Sequence, residues 1–181
     1  MKITSGPKIL FSVALLLLGP FARGQGIASL PVAKVACGPE NSKLEVSLDQ
    51  TEQPQLNPVS GKAVVYIAQD FPVGKTLVHL TTRVGVDGAW VGANQNRSYF
   101  GFMIDPGVHH LCISGQWSRV TSPPWIALHS LEAKAGETYY FCVRFSYLGS
   151  AGGILFTFEP VDEDQGKFLL QSSKHSTPHP N

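Results

Sequence analysis

Trp90, Trp117 and Trp125 fall at or beside predicted turns. A flat indole held at a loop offers a surface on which a sugar ring or a peptide can lie. Asn94 and Arg97, on either side of Asn96 in the polar stretch that follows Trp90, supply the hydrogen bonds such a ligand needs. These five residues form the candidate ligand-binding set. The alternative role for each tryptophan is an apolar plug at a sheet edge.

Other residue types with chemical potential do not assemble into a reaction. His109 and His110 are adjacent, and neighbours on a strand point to opposite faces, so one ion cannot take both rings. A third ligand would come from His79, His129 or Asp105, and no spacing ties these together. A serine nucleophile needs a base beside it and a strained turn beneath it. Ser98 and Ser114 have neither in the sequence. Asp162, Glu163 and Asp164 cluster as the first turn of a helix would, not as a general acid–base pair. Residues 149–153 are Gly-rich but lack the Lys and helix of a phosphate loop. The expectation is a non-enzymatic protein with no metal and no cofactor. A metal-dependent hydrolase ranks last.

Three cysteines, Cys37, Cys112 and Cys142, leave one thiol over after any single pairing. Alternation places Leu111 and Ile113 on one face of their strand and Cys112 on the other. In the same way Cys142 faces away from Phe141 and Val143. Cys37 lies in a lead-in with little else to hold it, so Cys37–Cys112 is the favoured disulfide, with Cys112–Cys142 as the alternative.

Positioning these groups requires a frame, and its pattern is period 2. Residues 43–49, 62–69, 78–87, 90–93, 98–104, 108–114, 125–133, 138–145 and 154–159 alternate or run β-branched and aromatic. Asp87-Gly88 and Asp105-Pro106-Gly107 mark tight turns between them. One short helix is predicted over 161–171, with acids in its first turn. The pattern reads as all-β, an antiparallel β-sandwich of about eight short strands with a short C-terminal helix. Strand pattern alone fits a barrel as well.

Residues 1–24 read as a secretory signal peptide. Lys2 and Lys8 precede an apolar run over 9–18, Gly19-Pro20 breaks it, and Ala22 and Gly24 are small residues before a cut near Gly24/Gln25. The run is shorter than the roughly 20 residues a membrane span needs, and no lipid-acceptor Cys follows it directly. Cleavage removes Lys2, Lys8 and Arg23 and no acid, leaving eleven basic against thirteen acidic residues, a net charge of −2. Such a surface lacks the basic footprint of a nucleic-acid partner. The remaining parts are a lead-in over 25–60 with one strand and a Pro-rich linker, a β-sandwich domain over 61–172, and a polar tail over 173–181 predicted to be disordered. Export, secreted or periplasmic, makes a disulfide permissible.

The ordered series GKAVVYIAQ, TTRVGVDGAWVGANQNRSYFGFMIDPGVHHLCI, LEAKAGETYYFCVRF and FEPVDEDQGKFLL resembles the bacterial domain-of-unknown-function family 2846. The resemblance covers 61–172. It implies an exported β-sandwich, some of whose relatives are named as lipoproteins, and it implies no activity and no site residues. The expected role is therefore binding or structure at the cell envelope, with an envelope protein or a glycan as partner. The second expectation is a secreted carbohydrate- or peptide-binding module that uses the tryptophans.

Overall fold

The computed structural model describes residues 31–180 apart from 52–53, 55, 58, 72–79, 117–124 and 148–153. The predicted signal peptide, Trp117 and His79 therefore lie outside the described residues.

The described chain is all-β and folds as two packed sheets. In order it forms α1 (Pro31–Ala36), β1 (Leu44–Asp49), β2 (Ala63–Asp70), β3 (Thr81–Val86), β4 (Ala89–Gln95), β5 (Ser98–Ile104) and β6 (Gly107–Gln116). There follow β7 (Ile126–Ala133), β8 (Thr138–Tyr147), β9 (Ile154–Val161), α2 (Glu163–Ser172) and β10 (Lys174–Pro180). One sheet has the order β1-β10-β5-β2-β8-β9 and the other β4-β3-β6-β7.

Between the sheets lies one core that includes Val65, Ile67, Val84, Phe100, Leu111, Ile113, Phe141 and Val143. β2 reads as a continuous apolar run because both its faces are covered. Its other face, Val64, Tyr66 and Ala68, packs with Tyr99, Cys142 and Leu169 beneath α2. α1 in turn covers the outer face of the four-stranded sheet, where Ala33, Ala36, Cys37 and Cys112 form a separate cluster. The molecule thus has a small helix on each outer face. Asp162 caps α2 by accepting from the Gln165 N–H at 2.8 Å, with Glu163 and Asp164 at the positive end of the helix dipole.

Three features depart from the sequence pattern. The tail is a strand: β10 pairs antiparallel with β1 from Leu44↔Pro180 to Asp49↔His175, and parallel with β5 at Lys174↔Ser98 and His175↔Tyr99. It carries no apolar stripe, so backbone pairing and the buried Ser176, whose hydroxyl donates to the Ala93 carbonyl, hold it in place. The lead-in is not a separate unit, because β1 completes a sheet through β10 and α1 packs on the other sheet. Nor is every pairing antiparallel. β2 and β8 run parallel from Val64↔Thr138 to Asp70↔Arg144, because the chain crosses between sheets on its way from one to the other and returns in the same direction.

Candidate functional site

The outer face of the four-stranded sheet carries an internal cation. Register places Arg83 opposite both Ala93 of β4 and Ser114 of β6, pointing away from the core that holds Val84. A bulge follows: Val84 faces Gly92 but Gly85 faces Trp90, so Val91 is left over. The bulge turns Trp90 to the same outer face as Arg83. Without it, Trp90 would share the inward face of Asn94.

The lead-in closes over this face. Gly85 permits the approach, since a Cβ there would lie 2.8 Å from the Ala36 carbonyl oxygen. Gly38 permits it from the other side, where a Cβ would lie 2.5 Å from Trp90 Cδ1. Four fastenings hold the segment. Cys37 is bonded to Cys112, with Cα atoms 5.1 Å apart. Arg83 Nη1 donates to the carbonyls of Glu40 (3.2 Å) and Ser42. Trp90 Nε1 donates to the Pro39 carbonyl at 2.8 Å. Gln116 accepts from the Leu44 N–H at 3.0 Å and donates to the Leu44 carbonyl at 2.9 Å.

Arg83 is only 5% exposed. Its guanidinium carbon lies 4.3 Å from the centroid of the Trp90 ring, within cation–π range. Nη2 donates to Ser114 Oγ at 3.1 Å, and Nε is buried with no partner. Burial lowers the Arg83 pKa, and the Glu40 charge partly offsets this. None of the ion pairs among the described residues includes Arg83. Beside it opens a cleft of about 520 Å³ walled by Ala33, Lys34, Pro39, Arg83, Trp90 and Ile126. A more open depression of about 650 Å³ lies along Pro39, Asn41–Leu44 and Gly88–Trp90.

Of the predicted ligand-binding residues that are described, Trp90 alone lines this cleft. Asn94 is fully buried, donating to the Ile67 carbonyl at 2.9 Å and accepting from Ser98 Oγ at 3.2 Å. It ties the two sheets together and cannot meet a ligand beside Trp90. Arg97 Nη2 pairs with Asp70 Oδ1 at 2.9 Å, partly exposed. Trp125 precedes β7, and its carbonyl accepts from the Gly115 N–H at 3.0 Å. The favoured disulfide, Cys37–Cys112, is present. The alternative with Cys142 is excluded by topology, since Cys112 and Cys142 lie on the outer faces of different sheets. Cys142 is a free, buried thiol.

His129 and His109 are placed for packing and for turn formation. His129 meets Phe141 edge-on at 5.0 Å. His109 Nδ1 lies 2.6 Å from Asp87 Oδ2, and its Nε2 lies 2.8 Å from the Asp105 carbonyl. Among the described residues no three His, Cys, Asp or Glu side chains come together as a metal site, and no helix is long and apolar enough to cross a membrane.

Sequence reasoning passed over Arg83. Its signal is a single Arg in the strand TTRVGV, two residues before a Gly, where alternation puts the charge on the face that Gly leaves open. No family model, curated protein or solved structure matches the chain.

Proposed function

We propose that this protein is an exported, non-enzymatic binding module of the bacterial cell envelope, and that its site is the cleft between Trp90 and the fastened lead-in. The observation that carries the reading is Arg83. A guanidinium is taken out of water, stacked on an indole and set in the wall of a cleft, where among the described residues no carboxylate is ion-paired with it and only the exposed Glu40 acts on it through space. Cavities of this size, mostly apolar with a few placed polar groups, suit small ligands or the end of a chain. The signal-like N-terminus and the disulfide both accord with an oxidising compartment outside the cytoplasm.

A second reading, a carbohydrate- or peptide-binding module, is favoured by the position of Trp90 in the cleft wall. Arg83 already covers one face of that indole, so a sugar ring has only the other face to stack on.

The test is retention of envelope extracts and of glycan and peptide arrays on the mature protein, beside Trp90→Ala. Specific retention that is lost in the variant is expected. Retention that Trp90→Ala leaves unchanged would place the site elsewhere, and a folded protein that retains nothing would remove the binding role.

A further inference from the structure

We infer that the ligand of this cleft carries a carboxylate on an apolar body, with Arg83 as its anchor. The inference rests on the binding reading above and names the ligand class. Three of the five N–H donors of Arg83 are taken by the Glu40 and Ser42 carbonyls and Ser114 Oγ. Among the described residues Nε has no partner, and one donor on Nη2 is left over by the same count. Nε and Nη2 form one edge of the guanidinium, and that edge matches the two oxygens of a carboxylate. All three of its present acceptors are neutral, and the charge is offset only in part, by the exposed Glu40 carboxylate, with no direct ion pair among the described residues.

The walls agree with this class. Lys34 is exposed at the rim and adds a second positive charge. Glu40 is the one acidic residue in the lining, and it is exposed. The rest of the lining is largely apolar: Ala33, Pro39, the Trp90 ring and Ile126. An apolar body would bury there while its acid end meets Arg83. Nε is buried, so a carboxylate engages it only as the atoms around it shift.

Such an acid could be a free small molecule or the C-terminus of a peptide, and the probes separate these sources. Phenylacetate, N-acetylphenylalanine and Ala-Ala-Phe are titrated against the mature, oxidised protein by calorimetry and tryptophan fluorescence, each beside its amide. At least one acid is expected to bind, with its amide at least tenfold weaker. Phenylacetate binding as tightly as Ala-Ala-Phe points to a small acid; binding by Ala-Ala-Phe alone points to a chain terminus. Lys34→Ala should weaken binding about threefold and Arg83→Gln at least tenfold. Ser114→Ala, which keeps the charge, should have a smaller effect than Arg83→Gln, and the acid-against-amide comparison on the unaltered protein together with the exposed Lys34→Ala decides the case in which Arg83→Gln does not fold. Equal binding of acid and amide overturns the carboxylate assignment while leaving a binding cleft in place. No binding of any probe to the folded protein overturns the assignment, whatever the envelope-extract experiment returns.

Discussion

The guanidinium of Arg83 lies over the ring of Trp90, 4.3 Å from its centroid, while Trp90 Nε1 donates to Pro39 at 2.8 Å. One indole therefore both caps a buried charge and fastens the lead-in. Trp90→Ala removes the stack and the hydrogen bond and should lower stability by about 2 kcal/mol. Trp90→Phe keeps a ring over the cation and loses only the bond, so about 1 kcal/mol is expected. Urea unfolding at neutral pH measures both, and unchanged midpoints would contradict the arrangement.

Cys37 and Cys112 are separated by 75 residues, so their bond removes a large loop entropy from the unfolded chain. Cys37→Ala with Cys112→Ala should cost about 4 kcal/mol on the chain-entropy model. Burial pushes the Cys142 thiol up to about 11. In the folded protein it should resist a thiol-titrating reagent and react once in denaturant. One reactive thiol in the native state, or a peptide map joining Cys142 to another cysteine, would refute this.

The His109–Asp87 pair gives stability a pH dependence of known sign. Burial pushes the His109 pKa down, but the bond to Asp87, the Asp105 carbonyl and the nearby acid charges outweigh it and raise the value. Both ring nitrogens face acceptors, and only the protonated ring donates to both. Burial raises the Asp87 pKa, but the His110 N–H and the His109 ring lower it overall. A raised folded pKa for His109 gives stability that is whole below the ordinary 6.5 and is lost as pH rises through the raised value. A lowered one for Asp87 gives stability that is whole above the ordinary 3.8 and is lost as pH falls through the lowered value. The pair therefore contributes most between these two ordinary values. Asp87 is 45% exposed, so the whole effect is at most about 1 kcal/mol. Asp87→Asn, which suits the positive φ of 49°, should flatten the profile without opening the turn. The check is the unfolding midpoint of both proteins from pH 4 to 9, and parallel curves would refute the pairing.

Ending the chain after Ser173 should destabilise it, because β1 would lose its partner along six paired positions. At about 0.5–1.5 kcal/mol for each net hydrogen bond lost, a total of about 3 kcal/mol is expected. Ser176→Ala should cost about 1 kcal/mol by leaving the Ala93 carbonyl without its donor. A truncated protein as stable as the full chain would return 173–181 to the status of a tail.

Gly166 shows a local signal that runs against the fold, although the helix predicted over 161–171 is present. Within a predicted helix a glycine argues against helix, yet α2 runs through it. A Cβ at that position would lie 2.3 Å from Tyr140 Cγ, and Tyr140 in turn stacks on Tyr66 at 5.6 Å. The residue that weakens the helix locally is what lets the helix sit on the sheet. The candidate site was hidden for a related reason. Trp90 stood out by residue type, but the Val91 bulge turns it to the outer face while Asn94, four residues away, faces the core, and the partner that does meet Trp90 is Arg83 of the neighbouring strand.

The sequence by itself determined β1 to β9 and most of the turns between them. Alternation and turn chemistry act over a few residues: Asp87 and Gly88 adopt φ of 49° and 85°, as a tight hairpin requires. It also determined which way Cys112 and Cys142 face relative to their own strands. The tertiary structure alone decided which strands lie side by side, that β2 and β8 run parallel, that residues 174–180 pair with β1, and that Arg83 meets Trp90 beneath the lead-in. Those outcomes depend on backbone hydrogen bonds between segments far apart in the chain and on a bulge that reverses the facing of a strand partway along it. Neither leaves a period in the sequence to read.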